Sequence, residues 1–175
     1  MALRRASLSL FSLSLFSLPL LLLVVSGGAL AAPVLRPDIA LPLAGELVDA
    51  TLAACQAEGR GAAVAVVDRG GNLVAFKRAD GVGPHNTLAA QRKAYTALSS
   101  KTPTRVLAER TRTQPDMANL ATLPELLLLG GGLPLMSGNE VIGGIGVAGA
   151  GGAQMDEACA ARAIASLASK SIQSN

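Results

Sequence analysis

The chain has 175 residues with 15 Lys and Arg against 12 Asp and Glu; 50% of it is hydrophobic and only 2% aromatic. Beyond residue 31 the aromatics are Phe76 and Tyr95 alone, and setting Arg4 and Arg5 aside leaves 13 basic against 12 acidic residues. That excludes a nucleic-acid binder, which needs a basic stripe and stacking platforms, and with His85 the sole histidine no zinc or iron motif is present.

Arg4 and Arg5 form a short basic start, Leu8 to Val25 are apolar or serine, and Ala29-Leu30-Ala31 fits a small-x-small cleavage site. Residues 1–31 therefore read as a secretory signal peptide, and the mature protein as periplasmic or secreted. An uncleaved anchor competes, since Leu8 to Val25 is uncharged and nearly long enough to span. The serines alternating up to Leu18, then Pro19, weaken it, so no stable membrane span is expected after leader removal. About 144 residues remain, enough for one domain.

A proline-containing lead-in covers residues 32–42. From Leu43, the apolar positions Leu47, Ala50, Ala54 and Ala57 recur at helical spacing, with Gly59 as the stop. Ala62 to Val67 and Leu73 to Lys77 flank Asp68-Arg69-Gly70-Gly71-Asn72 and read as an antiparallel hairpin, its first strand covered on both faces. Asp80 to Pro84 leads into a helix over Asn86 to Ser99, with one stripe at Leu88, Tyr95 and Leu98 and a second at Ala89, Lys93 and Ala97. The small residues around Lys93 let that face lie close to a sheet.

Pro103 opens a short helix to about Thr111, and an irregular stretch runs from Gln114 to Pro124. Glu125 to Leu129 is a strand or a helical turn. Leu133 to Ser137 and Val141 to Ala148 form a second hairpin around Gly138-Asn139, and Asp156 to Ser169 the last helix. This order favours a meandering antiparallel sheet with helices on its faces. Cys55 and Cys159 both fall in helices, and export permits a disulfide between them, but two buried thiols fit equally well.

Together, Val66-Val67-Asp68-Arg69-Gly70-Gly71-Asn72, Arg78-Ala79-Asp80-Gly81, Lys93-Ala94-Tyr95-Thr96-Ala97, Gly130-Gly131-Gly132-Leu133-Pro134-Leu135 and Gly143-Gly144-Ile145-Gly146-Val147 with Asp156 resemble the GlcG/HbpS haem-degrading or haem-binding family. The likeness runs from about Leu43 to Leu167, within a domain placed at residues 43–170 before a tail at 171–175. It implies an α/β (α+β), profilin-like three-layer fold with a central five-stranded antiparallel sheet, homo-oligomers, and in some members haem binding. Ala79 stands where the family pattern has methionine, which removes a thioether from the loop.

The candidate ligand rim is Arg78, Asp80, Lys93, Gly131, Gly132, Gly151, Gly152 and Asp156. Arginine and lysine suit carboxylates, including haem propionates, and main-chain donors ahead of a helix suit an anion. Arg78 and Asp80 could equally form a local ion pair, and Lys93 could pair with Asp80 or Asp156 to hold layers together. His85 is the candidate haem-iron ligand, against a plain surface role. No nucleophile and base stand in triad spacing; Lys93, Asp80 and Asp156 are the acid–base candidates if folding gathers them. The expected function is an exported homo-oligomer binding haem or a related acidic, planar molecule. An enzyme acting on a small acidic or aromatic metabolite and a structural accessory subunit are the alternatives.

Overall fold

Helix α1 (Leu41–Gln56) starts two residues before its apolar spacing suggests, because Pro42 sits in the first turn, where its missing N–H would have had no partner. In the computed structural model the described residues are 32–173, with side chains described through Ser169. The leader expected over residues 1–31 lies outside them. The lead-in is partly packed: Ile39 is buried and donates its N–H to the Ile142 carbonyl at 3.1 Å. No helix among the described residues is long and apolar enough to cross a membrane.

The remaining elements are β1 (Ala63–Asp68), β2 (Leu73–Arg78), α2 (His85–Ser100), α3 (Thr104–Thr113), a 3-10 helix (Pro115–Thr122), β3 (Gly132–Ser137), β4 (Glu140–Ala148) and α4 (Ala153–Gln173). The strands form one sheet in the order β2-β1-β4-β3, every neighbouring pair antiparallel. β1 is central and buried over Ala63–Val67, as its continuous apolarity predicts.

The expected fifth strand is not formed; the sheet has four strands. Glu125 to Leu129, the segment that could have supplied another, has its backbone committed elsewhere. Arg92 donates to the Leu126 carbonyl at 2.7 Å, Thr96 Oγ1 accepts the Leu127 N–H at 2.8 Å and Thr104 Oγ1 donates to the Leu129 carbonyl at 2.9 Å. With those groups satisfied by helix side chains, a strand ladder has nothing to gain there.

Helices cover both faces of the sheet, α2 on one, α1 and α4 on the other. The α1/α4 face is made of Val64, Val66, Leu135, Ile145 and Val147 in one core with Leu47, Val48 and Ala160. The α2 face carries Ala63 and Ala65 against Ala90, with Gly132, Gly144 and Gly146 beside them. A Cβ at any of these three glycines would collide with a main-chain carbonyl of α2, that of Lys93, Ala94 or Ala90 respectively. The helix backbone thus lies directly on the sheet, which only glycine permits. The buried face of α2 is Ala90, Lys93, Ala94, Thr96 and Ala97, whereas Leu88, from the other expected stripe, is exposed.

Cys55 and Cys159 form a disulfide that joins α1 to α4, with Cα atoms 5.3 Å apart. Both residues are fully buried.

Candidate functional site

Lys93 is the one charged residue on the alanine face of α2, and at 1% exposure it has no access to solvent. Its stem runs to the end of β4, where Nζ donates to the Val147 carbonyl and to Asp156 Oδ2, each at 2.8 Å. Asp156, 3% exposed, accepts the Ala150 N–H on its other oxygen at 2.8 Å. It lies in the first turn of α4, where the helix dipole favours a negative charge. Two of the three lysine protons and both carboxylate oxygens are therefore committed, and the pair ties α2, the end of β4, the Ala150–Gly152 turn and α4 together.

The glycines around this pair have two different jobs. Gly131, at φ +118°, has no room for a side chain: a Cβ would lie 2.8 Å from that of Asp156 and 2.9 Å from Lys93 Nζ. Gly132 donates its N–H to Thr104 Oγ1 at 2.9 Å, a buried anchor that the sequence reading missed because a lone threonine carries no motif. Gly151 and Gly152, at φ +109° and +125°, are exposed and form the turn into α4.

The structure thus divides the candidates. Lys93, Asp156, Gly131 and Gly132 come together but are sealed inside the protein. Arg78, Asp80, His85, Gly151 and Gly152 are on the surface. They share one end of the sheet: Arg78 is level with Ala63 and Ala63 with Ala148, the last residue of β4. The loop after β2 folds onto that end, with the Ala79 N–H on the Ala62 carbonyl at 2.9 Å and Val82 against Gly61 and Gly149. Arg60 lies beside Gly151, its Cζ 3.5 Å from where a Cβ would stand; it is a second exposed guanidinium at this end, and no spacing pointed to it.

Arg78 and Asp80 do not pair with each other; the Arg78 guanidinium reaches Thr87 Oγ1 on the first turn of α2 at 3.4 Å. His85 is the first residue of α2, exposed, and its ring makes no hydrogen bond among the described residues. Leu88, one turn further along α2, is 59% exposed. His85 thus offers an unengaged imidazole of the kind that ligates haem iron, and Arg78 and Arg60 offer guanidiniums of the kind that pair with carboxylates. Among the described residues no group of three or more His, Cys, Asp or Glu could hold a bare metal ion.

At the opposite end, the Asp68 carboxylate closes the β1–β2 turn by accepting the Asn72 N–H at 2.8 Å and the Asn72 side-chain amide. Burial pushes its pKa up, but hydrogen bonds from Asn72 and from the Gly70 and Gly71 main chain outweigh that and hold it below the usual carboxylate value.

The family model described as "Haem degrading protein HbpS-like" matches residues 39–165. Protein GlcG of Escherichia coli K12 is 33% identical over 109 residues, covering 60% of this chain and 80% of GlcG. The crystal structure of HbpS is 38% identical with a TM-score of 0.72, covering 77% of this chain and 94% of that one. The crystal structure of the PduOC:Heme complex is 26% identical with a TM-score of 0.65, covering 73% and 94%.

Proposed function

This chain belongs to the HbpS-like family, and from that premise we propose that it is an exported, homo-oligomeric protein that binds haem or a related small acidic molecule. A haem- or small-ligand-binding role follows from the family; the site, the compartment and the assembly are our reading. The observation that carries the site is one exposed end of the sheet, which bears Arg78 at the end of β2, His85 at the start of α2 and Arg60 beside Gly151. A structural relative was solved with haem bound.

Arg78 and Arg60 meet the carboxylates of the ligand, His85 offers a ring nitrogen to iron, and Leu88 covers an apolar face. Asp80 orients the loop between β2 and α2. Bound haem would supply redox and ligand-binding chemistry at its iron. The buried Lys93–Asp156 pair acts from behind: by holding Ala150 and the start of α4 it sets the Gly151-Gly152 main chain, so Lys93 and Asp156 are positioning residues.

The Cys55–Cys159 bridge supports an oxidising compartment, in keeping with the leader read over residues 1–31. Haem titration followed in the Soret region tests the reading: binding saturates, His85→Ala loses the low-spin spectrum, and Arg78→Gln weakens affinity about tenfold, the size of one charge-assisted contact. A spectrum unchanged in His85→Ala excludes His85 as ligand, and no saturable change in the native protein sinks the proposal.

A further inference from the structure

The sequence motifs left over from that site gather at the other end of the sheet. The β1–β2 turn brings Arg69, the β3–β4 turn brings Asn139 and Glu140, the end of α2 brings Tyr95 and Lys101, and the lead-in brings Arg36; together they line a groove of about 490 Å³. It is one strand length from Arg78, roughly 20 Å for six residues.

Three cations from three separate segments, Arg36, Arg69 and Lys101, line the groove with Glu140, and Asp38 and Asp68 stand beside it. Arg69 is pinned in place: its NH1 donates to the carbonyls of Val141 at 2.8 Å and Pro37 at 3.3 Å and pairs with Glu140 Oε2 at 3.2 Å. That leaves its Nε and second terminal nitrogen without a partner among the described residues. Glu140 is engaged by Arg69, and the nearby carboxylates are engaged too, Asp38 by the Arg69 N–H and Asp68 by Asn72, whereas Arg36 and Lys101 make no side-chain hydrogen bond or ion pair among the described residues. Part of the lining is aromatic, the Tyr95 ring lying so close to Gly71 that a Cβ there would stand 2.7 Å from Cε2.

Lys101 adds an independent observation. It is the one non-glycine among the described residues with positive φ, +52°, at a position where glycine is the usual helix terminator. Glycine would cost less backbone energy there, and what the lysine brings in exchange is its charge. Its charge opposes the negative end of α2, and it carries an amine to the groove.

We propose that this groove is a second ligand site, separate from the haem-binding end, that takes a small dianion such as a dicarboxylate or a phosphate between Arg36, Lys101 and the free edge of Arg69, against the Tyr95 ring. Arg69 sets the register, and the two unpaired cations supply the affinity.

The test is titration of the full mature chain at low salt with sodium succinate, and separately with inorganic phosphate, followed by amide chemical shifts. The expected result is saturable shifts at Arg69, Tyr95 and Lys101, weakened at least tenfold in the Arg36→Gln/Lys101→Gln double variant and by less than twofold in Arg78→Gln. Response to succinate alone assigns a dicarboxylate, and response to phosphate alone assigns a phosphate ligand. Lys101→Gly separates binding from helix termination: it raises the melting temperature and still weakens the probe. Failure to saturate, saturation unchanged in the double variant or in Lys101→Gly, or shifts confined to the Arg78 and His85 end would overturn the proposal. None of these results depends on haem, so the Soret titration stands or falls separately.

Discussion

The two faces of the sheet solve the same packing problem in opposite ways. Under α1 and α4 the strands offer Val64, Val66, Ile145 and Val147, and branched side chains fill the space. Under α2 the same strands offer Ala63, Ala65, Gly144 and Gly146, and the helix backbone itself comes down onto the sheet. In β4 the alternation Gly144-Ile145-Gly146-Val147 writes both solutions into four residues, since successive positions point to opposite faces. The close face lets a single lysine from α2 reach the end of β4 and α4, so the position of the glycine turn at the surface depends on how thin that layer is.

The largest expected effect comes from breaking the buried ionic link that joins α2 to α4. Lys93→Met leaves the Asp156 carboxylate buried with only the Ala150 N–H, and should cost about 3–5 kcal/mol in chemical denaturation. Adding Asp156→Leu should recover part of that loss, because it removes the unpaired charge. A double variant no better than the single one would show that the pair acts through shape alone.

On the thick face the corresponding link is covalent. Cys55→Ala with Cys159→Ala opens a loop spanning 104 residues of sequence and should lower stability by about 2–4 kcal/mol. The same loss should follow in the native protein under reductant. Identical melting with and without reductant would mean that α1 and α4 pack as firmly without the bridge.

One glycine beneath α2 and one on an open stretch of α1 sharpen the contrast further. Gly146→Ala adds a methyl where the Ala90 carbonyl already stands and should destabilise by about 1–3 kcal/mol. Gly45→Ala, in α1, meets nothing within 4 Å and should stabilise by about 0.5–1 kcal/mol through helix propensity. Opposite signs for the same chemical change are the signature of a helix seated on its sheet; equal signs would deny it.

How far the sequence reveals this depends on range. Element types and order are legible from local patterns: the periodicity of α1, the turn residues of both hairpins, and the proline before α3. The close approach of α2 to the sheet is legible in the small residues around Lys93, but Gly132, which the sequence offers to a ligand rim, meets α2 instead, as do Gly144 and Gly146. The five-stranded sheet came from the family likeness, and nothing local could show that Thr96, Thr104 and Arg92 would satisfy the backbone of residues 126–129. Long-range partners such as Asp156 for Lys93 could only be offered among alternatives, since 63 residues separate them.

The smallest effect tests the hinge of the first hairpin, where both faces begin. The Asp68 carboxyl has its pKa below the ordinary 3.8 in the folded protein, so the folded state binds its proton less readily than the unfolded chain. Its stabilisation is therefore complete above the unfolded value and is lost as pH falls through the folded one. The melting temperature of the native protein should exceed that of Asp68→Asn by a constant margin at neutral pH. The margin should shrink only below about pH 4, as protonation releases the Asn72, Gly70 and Gly71 donors. A margin that already closes near pH 6, or that persists after full protonation, would place the source of the difference elsewhere than in this turn, because no other ionisation of Asp68 is available to produce it.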